Sequence, residues 1–270
     1  MKKLFFIVLM VVLNVFLLAA EESIYFVQVT DTHFGFEENL TKKQQIKHYE
    51  KLKTFVSELN NLSIKPEFVV FTGDIENNHP INPETYKRTF DMIKEIKYPV
   101  FYVPGNNDIN PEKSDIIENS VQDFRKNYGE LMYVKEIKGI KFIFMYNESI
   151  RKNISINGYN PLEMLKNEFD KKDGMPAIIF LHSPPGESYY ENQKTSGWGN
   201  ENEVKFNEII NCKNVKAVIA GHYHVANMTY AGEIPVYIAP SFMEFDGGTY
   251  KYRIFEYKDG KLSYYEQEIK

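Results

Sequence analysis

Phe68-Val69-Val70-Phe71-Thr72-Gly73-Asp74 is a β-branched and aromatic run that stops at a glycine and a carboxylate. It reads as a buried strand that delivers an acid to the edge of a sheet. Four other stretches repeat the design, an apolar run of strand length ending in residues able to bind a metal. Tyr25 to Thr30 runs into Asp31-Thr32-His33, and Val100 to Val103 into Pro104-Gly105-Asn106-Asn107-Asp108. Ala177 to Leu181 ends in His182-Ser183-Pro184-Pro185, and Val215 to Ala220 in Gly221-His222-Tyr223-His224. Ligand sites of α/β sheets form beyond the carboxyl ends of the strands, so the five junctions are expected to share one crevice with Asp74 at its centre.

Between these strands the apolar period changes to that of helices. Ile46, Tyr49, Leu52, Phe55, Val56 and Leu59 mark one face of a helix over 40–59, with His48 assigned to its polar face. Tyr86, Phe90, Ile93 and Ile96 mark a second over 83–97, and Ile117, Val121, Phe124 and Tyr128 a third over 114–128. Residues 132–137 and 140–146 around Lys138-Gly139 read as a hairpin, 161–169 and 203–210 as short helices, and the strands after Val225 as a meander. Pro184 to Asn200, rich in Pro, Gly, Ser and Asn and holding Trp198, reads as a substrate-side wall. The class is mixed α/β: two sheets packed face to face with helices outside.

Composition bounds this reading without naming a function. The 270 residues suffice for one large core, and the formal net charge of -5 disfavours unspecific binding to nucleic acid. Met1 to Ala20 carries Lys2-Lys3, an apolar run broken only by Asn14, and Ala19-Ala20, which is the layout of an export signal or an uncleaved anchor. The folded domain is expected over 23–270, with any membrane contact confined to the N-terminal segment. Cys212 is the single cysteine, so an intrachain disulfide and a cysteine-based zinc site are both excluded.

The candidate ligands are Asp31, His33, Asp74, Asn106, His182, His222 and His224. Carboxylate, amide and imidazole donors suit a hard or borderline divalent ion such as Mn, Fe or Zn. Seven donors exceed what one ion takes from protein while keeping an open position, which argues for two ions with Asp74 as the bridge. A lone Asp-x-His or His-x-His is more often structural than not. Here all histidines but His48 lie at or near strand ends beside such signals.

In this order, Asp31-x-His33, Gly73-Asp74, Gly105-Asn106-Asn107-Asp108, His182 and Gly221-His222-x-His224 resemble the signature of the calcineurin-like metallophosphoesterases. The resemblance implies a four-layered αββα sandwich, the metallophosphatase fold, with a dinuclear centre. It places one ion on Asp31, His33, Asp74 and His224, and the other on Asp74, Asn106, His182 and His222. Such a pair of cations, about 3.5–4 Å apart, activates a water to hydroxide and stabilises an in-line displacement at phosphorus. The implied substrate is a small-molecule phosphate ester.

One position departs from the family pattern. Where many members carry a histidine that protonates the leaving group, oriented by the following acid, this chain has Asn107 before Asp108. An amide cannot deliver a proton near neutral pH, which removes a factor of about 10²–10⁴ unless another group replaces it. The expectation is therefore a bias to phosphodiesters, with His79 as a substitute donor and Tyr223 as packing between two ligands. The competing expectations are a phosphomonoesterase or nucleotidase, a metal-dependent nuclease, and a scaffold of the same fold that binds metal and turns over weakly.

Overall fold

The computed structural model of the chain describes residues 22–34, 41–76, 83–113, 115–171, 174–190, 193–195, 197–211, 213–243 and 249–270. The expected signal or anchor over 1–20, His79 and Cys212 lie outside them. In chain order the elements are β1 (Ile24–Val29), α1 (Lys42–Asn60), β2 (Phe68–Thr72), α2 (Pro83–Ile93), β3 (Val100–Val103), α3 (Ile117–Asn127), β4 (Met132–Ile137) and β5 (Ile140–Met145). There follow α4 (Glu148–Arg151), α5 (Pro161–Asp170), β6 (Ala177–Phe180), β7 (Ser188–Tyr190), β8 (Gln193–Thr195), α6 (Glu201–Asn211) and β9 (Val215–Ala220). The chain closes with β10 (Asn227–Ala231), β11 (Ile234–Ile238), β12 (Lys251–Lys258) and β13 (Lys261–Glu268).

Alternate residues of each inner strand enter two different cores. Phe26, Phe68, Val70, Phe142, Phe144, Ile178, Phe180, Ile219 and Phe255 pack between the sheets, while Val27, Val29, Val69, Phe71, Ile143, Ile179 and Val218 face the helices. Phe26 stacks on Phe68 and Phe255 of its own sheet, with centroids 5.2 and 5.0 Å away, and meets Phe142 and Phe180 of the other edge-on at 5.6 Å each. Strands buried on both faces carry no polar alternation, which is why they read as continuous apolar runs.

The first sheet has the order β13-β12-β1-β2-β3 and the second β10-β11-β9-β6-β5-β4. β1, β2 and β3 run parallel, as do β5, β6, β9 and β11. The two mixed sheets flanked by helices are thus as expected, but the C-terminal meander is not. β10 and β11 extend the second sheet, whereas β12 pairs antiparallel with β1 in the first. The chain passes from the second sheet to the first between β11 and β12. Just after β11, Phe242 N–H donates to Thr30 O at 2.9 Å and Ser241 Oγ–H to Asp31 O at 2.8 Å, which ties these two residues to the junction after β1.

α1 begins one residue after the capping Thr41, which shares a capping box with Gln44. Two assignments on this helix are corrected: Ile46 is 49% exposed, whereas His48 is buried at 4%. His48 precedes Leu52, Phe55 and Leu59 at spacings of four, three and four, so it belongs to the apolar face. The wall over 184–200 contains the hairpin β7–β8 and is tied down at its end by Glu203, whose carboxylate accepts from the N–H groups of Gly186, Trp198 and Gly199.

Candidate metal centre

Beyond Thr72, Val29 and Ala220 the inter-sheet face turns from phenylalanine to polar side chains. Gln28 bridges the sheets, donating to Thr72 Oγ1 and Ala220 O at 2.8 Å each. His182 shares the parity of Ile178 and Phe180, so it also points across to the other sheet, where its Nδ1–H donates to Thr72 O at 2.9 Å. A carbonyl can only accept, so Nδ1 carries a hydrogen and Nε2 is the nitrogen that faces the Asp74 carboxylate. Gly73 permits that approach: it has φ +94°, and a β-carbon there would come within 2.6 Å of His182 Cγ.

Two groups of donor atoms gather above this floor, Asp31, His33 and His224 in one and Asp74, His182 and His222 in the other. Asp31 Oδ1 lies 3.3 Å from His224 Nε2 and 3.9 Å from the Nε2 atoms of both His33 and His182. Asp74 Oδ2 lies 3.3 Å from His182 Nε2 and 3.9 Å from His33 Nε2, so each carboxylate faces both groups. The nitrogens converge as well, with His33 Nε2 3.1 Å from His224 Nε2 and His222 Nδ1 3.2 Å from His182 Nε2. Asp31, His33, Asp74, His222 and His224 all adopt positive φ, between 45° and 72°. Five strained residues in one place are the mark of a site whose geometry is held for chemistry.

Metal ions fit these donors. Asp31 Oδ1 and Asn106 Oδ1 are buried with no hydrogen-bond partner, a costly state for an oxygen that has nothing to coordinate. The electrostatics agree. Burial works against a charged His182, yet the Asp74 and Asp31 carboxylates lift it to about 10. Burial and the charge of His182 push His222 down to about 4. Burial opposes ionisation of Asp31 and Asp74 too, but the neighbouring imidazoles hold both carboxyls below their usual range. Two anions that draw a proton this strongly onto an imidazole are built to face positive charge.

A family model described as calcineurin-like phosphoesterase matches residues 24–226, which takes in every one of these residues. The chain belongs to the calcineurin-like phosphoesterase family. The motif resemblance is thereby borne out. Among relatives of this phosphoesterase is a probable cyclic nucleotide phosphodiesterase of Fibrobacter succinogenes, 27% identical over 218 residues that cover 79% of this chain and 78% of the relative. A probable glycerophosphodiester phosphodiesterase of Arcobacter nitrofigilis is 28% identical, covering 80% and 77%. A mouse serine/threonine-protein phosphatase is 25% identical, covering 74% and 69%. The fold is shared with a purple acid phosphatase of yellow lupin at a TM-score of 0.62 and 11% identity, covering 92% of this chain and 52% of that one. It is shared also with a zebrafish dimetal phosphatase at 0.57 and 14%, covering 92% and 99%.

The structure gives Asn107 and Asp108 separate partners in this phosphoesterase. Asn107 donates to Asp74 twice, from its N–H to Oδ1 at 2.8 Å and from Nδ2 to Oδ2 at 2.7 Å. Asp108 accepts from the N–H groups of Ile75 and Glu76 at 3.0 and 2.9 Å and from Gly105 N–H at 2.8 Å. The residue orienting the Asn107 amide is therefore Asp74, and Asp108 ties the two loops after β2 and β3 together. Burial and the charge of Asp74 push Asp108 up to about 7. Tyr223 is buried between His222 and His224, as packing predicts.

Sequence reasoning missed Asn147, Glu148, Ser241 and His48. The first two follow β5 directly, at the same end of the sheet as the other junctions, and that position was their only signal. Ser241 had none, because its contact with Asp31 spans 210 residues.

Proposed function

We propose that the protein is a dinuclear-metal phosphodiesterase acting on small phosphodiesters outside the cytoplasm. The observation that carries this reading is the convergence of Asp31, His33, His224 and of Asp74, His182, His222 into two groups that share their carboxylates. Asp31, His33, Asp74 and His224 would hold one divalent ion, and Asp74, Asn106, His182 and His222 the other. The oxygen and nitrogen donor set favours Mn, Fe or Zn. Bound there, the ions would supply Lewis acidity toward the phosphoryl oxygens and the attacking water.

The chain's own residues then set the preference among esters. His182 is held by Thr72 in the tautomer that presents Nε2, and Asp74 is held at both oxygens by Asn107. The Asn107 amide offers hydrogen bonds to a bound phosphoryl oxygen but no proton to a departing alkoxide, so leaving groups that need protonation suffer by about 10²–10⁴. Diesters with better leaving groups suffer least. The relatives named as cyclic nucleotide and glycerophosphodiester phosphodiesterases support the same preference. Export rests on the layout of residues 1–20.

The test is hydrolysis of bis-(p-nitrophenyl) phosphate beside p-nitrophenyl phosphate, with Mn, on protein lacking residues 1–20 and on its Asp74→Asn variant. A diester rate well above the monoester rate, abolished by the substitution, is the expected result. A monoester rate equal or higher would overturn the preference. No turnover of either ester by Mn-loaded protein would turn the reading toward a scaffold.

A further inference from the structure

The two donor groups are held from behind by residues of different layers. Behind the first stands His48, on α1 and buried. Its Nε2 lies 3.0 Å from Thr32 O, at the centre of the Asp31-Thr32-His33 turn whose two ligands both have positive φ. The carbonyl accepts, so Nε2 carries the hydrogen, and Nδ1 is left buried with no hydrogen-bond partner. Around the ring stand Phe34, Tyr250 and Phe242, with centroids 4.8, 5.9 and 6.3 Å away. A core selected for burial alone has no use for a nitrogen without a partner in an aromatic cage. Among the described residues, the one polar bond the ring makes is to Thr32 O in the Asp31-Thr32-His33 turn.

Behind the second group stand Asn147 and Glu148, both fully buried at the end of β5. Asn147 Oδ1 accepts from the N–H groups of His182 and Ser183 at 3.1 and 3.3 Å, and its Nδ2 donates to Ser183 O at 2.8 Å. Ser183 Oγ–H donates to Glu148, whose other oxygen takes Arg151 Nε at 2.6 Å. The N–H of His182 and the N–H, C=O and hydroxyl of Ser183 are thus engaged by this short segment, while His182 O accepts from Gly221 N–H at 3.0 Å. The parts common to both groups are held elsewhere: Asp74 by Asn107, and the loop 221–224 by Asp31 Oδ2 and by Ser241 N–H, which donates to His224 O.

We propose that His48 and the Asn147–Glu148 pair are separate positioning residues, one for each metal position, so that either position can be emptied while the other stays loaded. The proposal rests on the dinuclear reading of the site. Outer partners of metal ligands change affinity by about 10- to 100-fold when removed, enough to empty a position at limiting metal.

The experiment measures bound Mn per chain after gel filtration, by elemental analysis, together with the Mn electron paramagnetic resonance spectrum. Samples are the full-length protein, His48→Phe, Asn147→Ala and their combination, with His48→Gln as the variant that restores a donor to Thr32 O. Expected are two ions in the parent and in His48→Gln, one magnetically isolated ion in each single variant, and none in the combination. One ion left in the combination would mean that both substitutions empty the same position, and the proposal fails. It fails equally if either single variant loses both ions or keeps both. Fewer than two ions in the parent would overturn the dinuclear reading itself, a result distinct from the other three. Should His48→Phe or Asn147→Ala not fold, His48→Leu and Asn147→Ser take their places with the same expectations.

Discussion

Gly73→Ala tests whether the close approach of His182 to the loop after β2 is what holds the site together. Two costs are built into the substitution. Gly73 has φ +94°, where a β-carbon costs about 1–2 kcal/mol. That carbon would also stand 2.6 Å from His182 Cγ and 2.8 Å from its Cβ, in a place where the imidazole is fully buried and bonded to Thr72 O. Relieving the overlap costs about 1–3 kcal/mol of packing, and turning the ring forfeits a buried hydrogen bond of about 1 kcal/mol net. The expected loss is therefore about 3–6 kcal/mol. Gly129→Ala isolates the backbone part, because Gly129 has φ +114° and nothing within 4 Å of its would-be β-carbon. Urea unfolding of both variants in EDTA should show Gly73→Ala worse than Gly129→Ala by about 2–4 kcal/mol. Equal losses in the two would refute the argument, since the His182 contact would then contribute nothing.

Three further outcomes follow from buried charge and from the metal centre. Burial holds His48 at about 4, below its ordinary 6.5, so the unfolded chain takes up a proton there before the folded one does. The stability this group contributes is present above pH 6.5 and lost as pH falls from 6.5 to 4, about 3 kcal/mol in all. His48→Phe should flatten the urea stability profile over that window, and an unchanged slope would contradict the assignment. Lys141 and Glu168 form a buried pair at 2.7 Å between β5 and α5, so Glu168→Ala should cost about 3–5 kcal/mol and the pair replacement Lys141→Met with Glu168→Leu much less. Equal destabilisation would show that the pair is not the source. Finally, each ion present at 100 times its Kd adds about 2.7 kcal/mol, so EDTA should lower the Tm by roughly 5–10 °C per ion. A melting curve indifferent to EDTA would argue against a loaded centre.

The strands and their terminal ligands were legible because strands buried on both faces leave unbroken apolar runs, and five such runs stop at donor residues. What the runs do not record is the sheet each strand joins. Local pattern makes β10–β11 and β12–β13 look like one meander, yet pairing with β9 and with β1 sends them to opposite sheets. His48 lies at helical spacing from Leu52, Phe55 and Leu59, so register places it inward and Ile46 outward, against the polarity of the two residue types. Asn147 and Ser241 act on backbone atoms 35 and 210 residues away, and no local pattern encodes such partners.

The spacing of the ligands also concealed how they converge. Residues i and i+2 of an extended strand point the same way about 7 Å apart, a spacing that does not say which donors share a group. The structure brings Asp31 Oδ1 to 3.9 Å from His33 Nε2 by giving both residues positive φ, and it does the same for His222 and His224, which thereby reach different groups. At about 1–2 kcal/mol for each of the five left-handed residues, the strain is comparable with the whole stability of a typical domain, about 5–15 kcal/mol. Hydrogen bonds from His48, Asn107, Asn147 and Ser241 offset part of it, and of these only the Asn107 amide takes up an atom that faces the other donors, Asp74 Oδ2. Cations bound between these two carboxylates and four imidazoles are expected to add to the stability of the chain, which would tie its folding and its activity to the same metal supply.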